Sequence, residues 1–175
     1  LLDFYDNMSR WSFNLQMYFL YTRFASQIKY FEIGKSFIQD RTIYEDKEIF
    51  ATNLYELGHM SKRDYTTYCN LFSAMIEFIK KPDLIIYLKA NTDTLMSRIS
   101  NRQRVYEAEI SSEYIHSLNI YYNKWINSLN SNEVLVIKTD DFNIFNPITI
   151  SGNGKIESLN ASVACGIILD RLINK

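Results

Sequence analysis

FIQDRTIYEDKEIF, residues 37–50, is the stretch whose reading decides the fold. Phe37 and Ile38 end an apolar run of strand character. Gln39, Asp40, Arg41 and Thr42 then bring an acid, a guanidinium and a hydroxyl to its C-terminal edge, where open α/β sheets place their chemistry. A second acidic group follows at Glu45 and Asp46, where the pattern turns toward a helix carrying Ile49 and Phe50. So dense a set of charges after a strand points to a site rather than to packing alone.

Downstream, Ser61 is placed to cap a helix, with Asp64 at the capping-box position. Tyr65, Tyr68, Leu71, Phe72, Met75 and Phe78 form its apolar stripe, and residues 53–60 read as the connector before it. LIIYLKA (84–90) and EVLVIKTD (133–140) are short, nearly continuous apolar runs, the pattern of strands covered on both faces. Asn91-Thr92-Asp93 opens a helix between them, and Ser112-Glu113-Tyr114 opens another that runs through Trp125. Alternating helices and apolar strands predict an α/β fold, a parallel sheet flanked by helices, within a single domain over residues 1–175.

Upstream, residues 12–31 read as one long helix on which Phe13, Gln16, Leu20, Phe24 and Gln27 share a face. Arg23 returns to nearly the azimuth of Gln16. An amide and a guanidinium on an apolar face are costly without partners, so they either line a pocket or lie at the edge of the core. The same two-way choice holds for Arg98, Arg102 and Arg104. Three guanidiniums in seven residues suit phosphate recognition, and they equally suit a solvated face paired with Glu107 and Glu109.

Glycine-lysine pairs occur twice. Gly34-Lys35-Ser36 lacks the glycine-rich lead of a phosphate loop and is followed by strand pattern rather than helix. ITISGNGK (148–155) is too short for that motif and reads as a hairpin or surface turn, followed by a helix candidate over residues 161–173. Aromatics make up 15% of the chain and hydrophobic residues 47%, which argues for a folded core. The net charge of −1 offers no field for a nucleic-acid polymer, although a small anionic ligand needs only local arginines. Cys69 and Cys165 have no metal-ligand spacing, and His59 and His116 have no ligand companions. No stretch predicts a membrane span or secretion signal, and the expected location is the reducing cytoplasm.

RWSFNLQMYFLYTRF (10–24), DRTIYEDKEIFA (40–51) and PDLIIYLKANTDTLMSRISNRQRVYE (82–107), in that order, resemble the deoxyribonucleoside kinases. The resemblance runs from about Leu2 to Asp141. It implies a three-layer P-loop kinase fold with a five-stranded parallel sheet, a homodimer, and transfer of the γ-phosphoryl group of ATP, with Mg²⁺, to a deoxynucleoside 5′-hydroxyl. Carried over by position, Gln16 contacts the base, Arg23 and Asp46 form the polar pair beside it, and Tyr5 contacts the sugar 3′-hydroxyl. Asp40 and Arg41 correspond to the acid–arginine pair near the 5′-hydroxyl and the metal. Arg98, Arg102 and Arg104 match the lid arginines that meet ATP, and Glu107 matches the lid's acidic sugar contact. Phe13, Tyr44 and Phe50 are candidate apolar walls.

Family members usually open with a strand, a phosphate loop, a helix and a second strand ending in the glutamate base, and none of these precedes Leu1 in the given sequence. The expectation is a fragment of a normal kinase whose sheet has an exposed edge. A circular permutation using ITISGNGK and a non-catalytic nucleoside-binding or assembly protein are the alternatives.

Overall fold

A computed structural model describes residues 2–34, 37–104, 107 and 110–141 of the chain. After a short helix α1 (Leu2–Asp6), helix α2 runs from Met8 to Ile33. Its start is fixed by Asn7, whose side chain accepts the Arg10 N–H at 3.0 Å, because the first turn of a helix has no carbonyl for its own donors. Ser12, Gln16, Leu20 and Gln27 form its buried stripe. Gly34 ends it at φ 66°, its N–H bonded to the Phe31 carbonyl at 3.1 Å, a left-handed cap that glycine adopts without a Cβ clash. The glycine of the first Gly-Lys pair is therefore a helix stop.

Residues 37–39 do not form the expected strand, and Asp40 does not stand at a strand's edge. A strand is defined by a neighbour's backbone, and this segment is instead tied to α2 through side chains. Phe37 packs on Tyr30 with ring centroids 4.8 Å apart, and the Gln27 amide donates to Gln39 Oε1 at 3.1 Å. Among the described residues the sheet has two strands, β1 (Ile85–Lys89) and β2 (Val134–Lys138). They are parallel, with Ile85 opposite Val134 and Lys89 opposite Lys138. Complete cover on both faces is also not observed. Leu88 and Val136 are 37% and 47% exposed, and residues 85–88 border an open cavity that also touches Ile38.

Residues 43–56 are helical nearly throughout: α3 (Ile43–Glu45), a π-helical turn (Asp46–Ala51) and α4 (Thr52–Glu56). The Glu45 carboxylate accepts the Thr42 N–H at 2.5 Å and so starts the run. The expected connector thus shrinks to residues 57–60, where Gly58 takes φ 77°. Helix α5 (Lys62–Ile76) begins at Ser61, which accepts the Asp64 N–H at 3.1 Å and donates to its carboxylate at 2.8 Å. Tyr68 and Phe72 are buried, whereas Leu71 and Phe78 are exposed. Leu71 lies about 60° from Tyr68 on the side away from Phe72, and Phe78 falls past the last turn. Helices α6 (Thr92–Arg102) and α7 (Ser112–Ser128) start at Asn91 and Ser111, whose side chains accept the N–H groups of Thr94 and Tyr114.

Two apolar clusters result. Leu20, Ile43, Leu54 and Tyr68 join α2, the helical run and α5, while Ile49, Trp125 and Ile126 join that run and α7 to the sheet. Residues 43–56 serve both, so the charges at 40–46 lie between the helical layer and the sheet. ITISGNGK and residues 161–173 lie outside the described residues.

Candidate active site

Asp46 is 1% exposed, and Arg23 Nη1 reaches both of its carboxylate oxygens at 2.5 Å. The guanidinium also rests over the Phe19 ring, 4.8 Å from its centroid. One partner comes from α2 and the other from the π-helical turn, so the pair predicted from a resemblance is a tertiary contact. Burial pushes the Asp46 carboxyl up to about 6, against the charge and hydrogen bonds of Arg23, which favour the anion. An acid whose pKa is raised by folding binds its proton better in the folded state. Asp46 therefore favours folding below its ordinary value of 3.8, and that contribution is lost as the pH rises through about 6.

Gln16, 2% exposed, shares the buried stripe of α2, and its Oε1 has no hydrogen-bond partner. The Tyr68 hydroxyl is buried and unpartnered too, its pKa raised by burial and then by the Asp46 charge. Unmet buried acceptors cost about 1–3 kcal/mol each, which a polar ligand would offset. Tyr5 sits half-buried on α1, edge-on to Phe4 at 5.0 Å and within electrostatic range of the half-buried Tyr114. Phe13 and Tyr44 pack against the helical core, Tyr44 edge-on to Phe72 at 5.9 Å.

At the turn before α3, Asp40 is exposed and Arg41 takes φ 60°. Desolvation by the surrounding chain opposes the Arg41 charge, and the carboxylates of Glu45, Asp40 and Asp46 favour it. Its guanidinium carbon stands 5.0 Å from the centroid of Phe50. Burial pushes the neighbouring Glu45 carboxyl up, while the Thr42 N–H and Arg41 oppose the shift. Tyr68, Tyr114 and Tyr122 belong to this neighbourhood beside Glu45, although the sequence reading gave none of the three tyrosines a site role. Their spacing fits helix packing equally well, and only the meeting of separate helices distinguishes them.

The three arginines at 98, 102 and 104 divide. Arg98 donates to the Thr139 hydroxyl at 3.0 Å and to its carbonyl, which commits it to the end of β2. Beside it Asp140 accepts the Asn91 N–H at 2.8 Å and the Thr94 hydroxyl at 3.0 Å, so two side chains fasten α6 to the sheet. Arg102 is exposed and borders the cavity, its Nε donating to the Arg98 carbonyl at 3.4 Å. Arg104 pairs with Glu107 at 3.2 Å, three residues on, leaving Glu107 Oε2 buried without a partner. The solvated-pair reading thus fits Arg104 with Glu107, and Glu109 lies outside the described residues.

A cavity of about 950 Å³ runs between the 37–39 segment and β1, bordered by Asp40, Arg41, Glu45, Arg102 and Tyr122. It has the volume for a nucleotide-sized ligand, and its wall carries arginines as well as carboxylates. Among the described residues no group of three or more His, Cys, Asp or Glu side chains could hold a metal ion. Magnesium in phosphoryl transfer needs one or two carboxylates besides the phosphates, and the exposed carboxylate of Asp40 on the cavity wall fits that smaller requirement. No helix among the described residues is long and apolar enough to cross a membrane.

Two parallel strands, flanking helices and a cavity set between a carboxylate and arginines define an α/β protein with room for an anionic ligand, and comparison narrows the class. Residues 1–150 match the deoxynucleoside kinase family. The deoxyadenosine/deoxycytidine kinase of Bacillus subtilis is 41% identical over 148 residues, covering 83% of this chain and 68% of the relative. The deoxyadenosine kinase of Dictyostelium discoideum is 39% identical over 129 residues, covering 74% and 52%. A solved structure of deoxyadenosine kinase from M. mycoides with bound dATP superposes with a TM-score of 0.70 at 26% identity, covering 98% of this chain and 79% of that one. The chain spans between half and about two thirds of the length of these two curated relatives. It belongs to the deoxynucleoside kinase family.

Proposed function

We propose that this protein transfers the γ-phosphoryl group of ATP to the 5′-hydroxyl of a deoxynucleoside, with deoxyadenosine, deoxyguanosine and deoxycytidine preferred to thymidine. The observation that carries the reading is the pairing of buried Asp46 with Arg23, which lies on the same face of α2 as Gln16, whose Oε1 lacks a partner. An amide offers both a donor and an acceptor to a base edge, and a guanidinium–carboxylate pair offers the same combination, so a base that cannot match them leaves buried groups unmet. Tyr5 and Glu107 take the sugar in this reading. Asp40 holds Mg²⁺ or the nucleophile, and Arg41, Arg102 and Arg104 meet the phosphates. Arg98 belongs with them by resemblance, and it also ties α6 to the end of β2 through Thr139. Bound ATP with Mg²⁺ supplies the transferable group, while these residues supply positioning and charge, the two things phosphoryl transfer asks of a protein.

A homodimer belongs to the same reading. Tyr18 and Tyr21 on α2 are 60% and 63% exposed, apolar area of the kind a second copy covers.

Two measurements test the function. A coupled assay of the full-length protein with ATP, Mg²⁺ and each deoxynucleoside is expected to give the monophosphate; no turnover with any of them, alongside calorimetric nucleoside binding, favours the non-catalytic alternative. Gln16→Ala is expected to weaken nucleoside binding by about 1–3 kcal/mol, and unchanged affinity removes Gln16 from the site.

Acidity supplies a further prediction. Base recognition needs ionised Asp46, so nucleoside affinity is expected to fall as the pH drops through about 6. Asp46→Asn flattens that profile. A wild-type affinity constant from pH 5 to 8 would exclude the carboxylate from recognition.

A further inference from the structure

Arg41 stands on a backbone that resists it. At φ 60° a side chain with a Cβ costs about 1–2 kcal/mol, and such a conformation persists only where the surroundings over-determine it. The surroundings here form a ladder of rings. The Arg41 guanidinium lies over Phe50, Phe50 meets Tyr122 edge-on at 6.2 Å and 90°, and Tyr122 stacks on Tyr87 at 5.5 Å and 5°. The lower end is fixed as well. The Tyr87 hydroxyl donates to Asn119 Oδ1 at 3.4 Å, and the Asn119 amide donates to the Ala90 carbonyl at 3.1 Å.

Each rung comes from a different element: Phe50 from the π-helical turn, Tyr122 from α7, Tyr87 from β1. Tyr122 is the rung that connects the sheet to the ring beneath Arg41. Stacked and edge-on ring pairs contribute about 0.5–1.5 kcal/mol beyond their buried area, and they hold planes at fixed angles. A merely apolar side chain would fill the space without fixing the plane of Phe50. Burial, then the Glu45 charge, push the Tyr122 phenol up, so it stays neutral and acts on Arg41 through shape.

We propose that Tyr122 is a positioning residue for phosphoryl transfer: wedged between Tyr87 and Phe50, its ring fixes the aromatic face on which the Arg41 guanidinium rests. This assignment rests on the kinase reading of the site. Arg41 is thereby presented to the transferring group in one orientation, and a small displacement of such a group can cost about a hundredfold in rate. The ring, rather than the hydroxyl, performs this function.

The test uses full-length protein and the deoxynucleoside it turns over fastest, comparing wild type with Tyr122→Phe, Tyr122→Leu, Arg41→Lys and the Tyr122→Leu/Arg41→Lys double variant. Tyr122→Phe is expected to keep kcat within threefold. Tyr122→Leu is expected to lower kcat tenfold or more while the nucleoside KM moves less than threefold, because base-binding groups are untouched. In the Arg41→Lys background the same change is expected to cost less than threefold, since the arginine it positions is already gone. Tyr122→Met fills similar volume without a plane and carries the same expectations should the leucine variant not fold. Retained kcat in Tyr122→Leu, a loss confined to KM, or effects that multiply fully in the double variant would each overturn the assignment. Wild-type protein without turnover overturns the kinase reading itself and this assignment with it, whereas an active wild type beside an unaffected Tyr122→Leu overturns the assignment alone.

Discussion

Arg41→Ala is expected to lower kcat for deoxynucleoside phosphorylation a hundredfold or more, the usual cost of removing one preorganised donor from a developing charge. Nucleoside KM is expected to change little, because the groups assigned to the base lie on α2 and the π-helical turn. A companion variant, Arg41→Gly, loses the same side chain but accepts φ 60° without strain. It is expected to be equally inactive and yet more stable than Arg41→Ala by about 1 kcal/mol in a denaturant titration. Equal stability of the two variants would show that the left-handed backbone at residue 41 carries no strain. An Arg41→Ala enzyme with near wild-type kcat would remove the residue from the chemistry.

Asp46→Ala has the largest expected effect on stability, about 3 kcal/mol. It leaves the Arg23 guanidinium without its buried counter-charge, and breaking such a pair costs roughly 3–5 kcal/mol. The low end applies because the Arg23 side chain keeps 16% exposure. For a domain stabilised by roughly 5–15 kcal/mol, that loss is a large share. Replacing both partners, Arg23→Met with Asp46→Leu, is expected to recover most of the stability and none of the nucleoside binding. Urea titration paired with calorimetry separates the outcomes. A double variant that binds nucleoside at wild-type affinity would show that the pair serves only the core, and a single variant of unchanged stability would show that Arg23 finds another partner or water.

The two variants also separate what can be seen along the chain from what cannot. Helix starts at Ser61, Asn91 and the serines at 111–112 are local matters, since a short polar side chain meets the N–H three residues ahead. Periodicity likewise placed Gln16, Leu20 and Gln27 on one buried face of α2, and the apolar runs marked β1 and β2 as strands. The 37–39 run was misread for the complementary reason. Strand character belongs to a pair of backbones, and Phe37 and Ile38, 48% and 50% exposed, have α2 side chains for company.

By itself, then, the sequence determined an α/β chain with its charged stretch at residues 40–46 and a motif order resembling one kinase family, because caps, periodicity and motifs are written within a few residues of each other. Tertiary structure alone decided that Arg98 turns to Thr139 while Arg102 borders the cavity, that Asp46 is buried against Arg23, and that Tyr122 stands beneath Phe50 and Arg41. The physical reason is common to all three. A guanidinium, a carboxylate or a phenol on a helix has several faces it can satisfy equally well. The choice among them is made by elements brought together from 23 positions away in the case of Arg23 and Asp46, and from 41 in the case of Arg98 and Thr139.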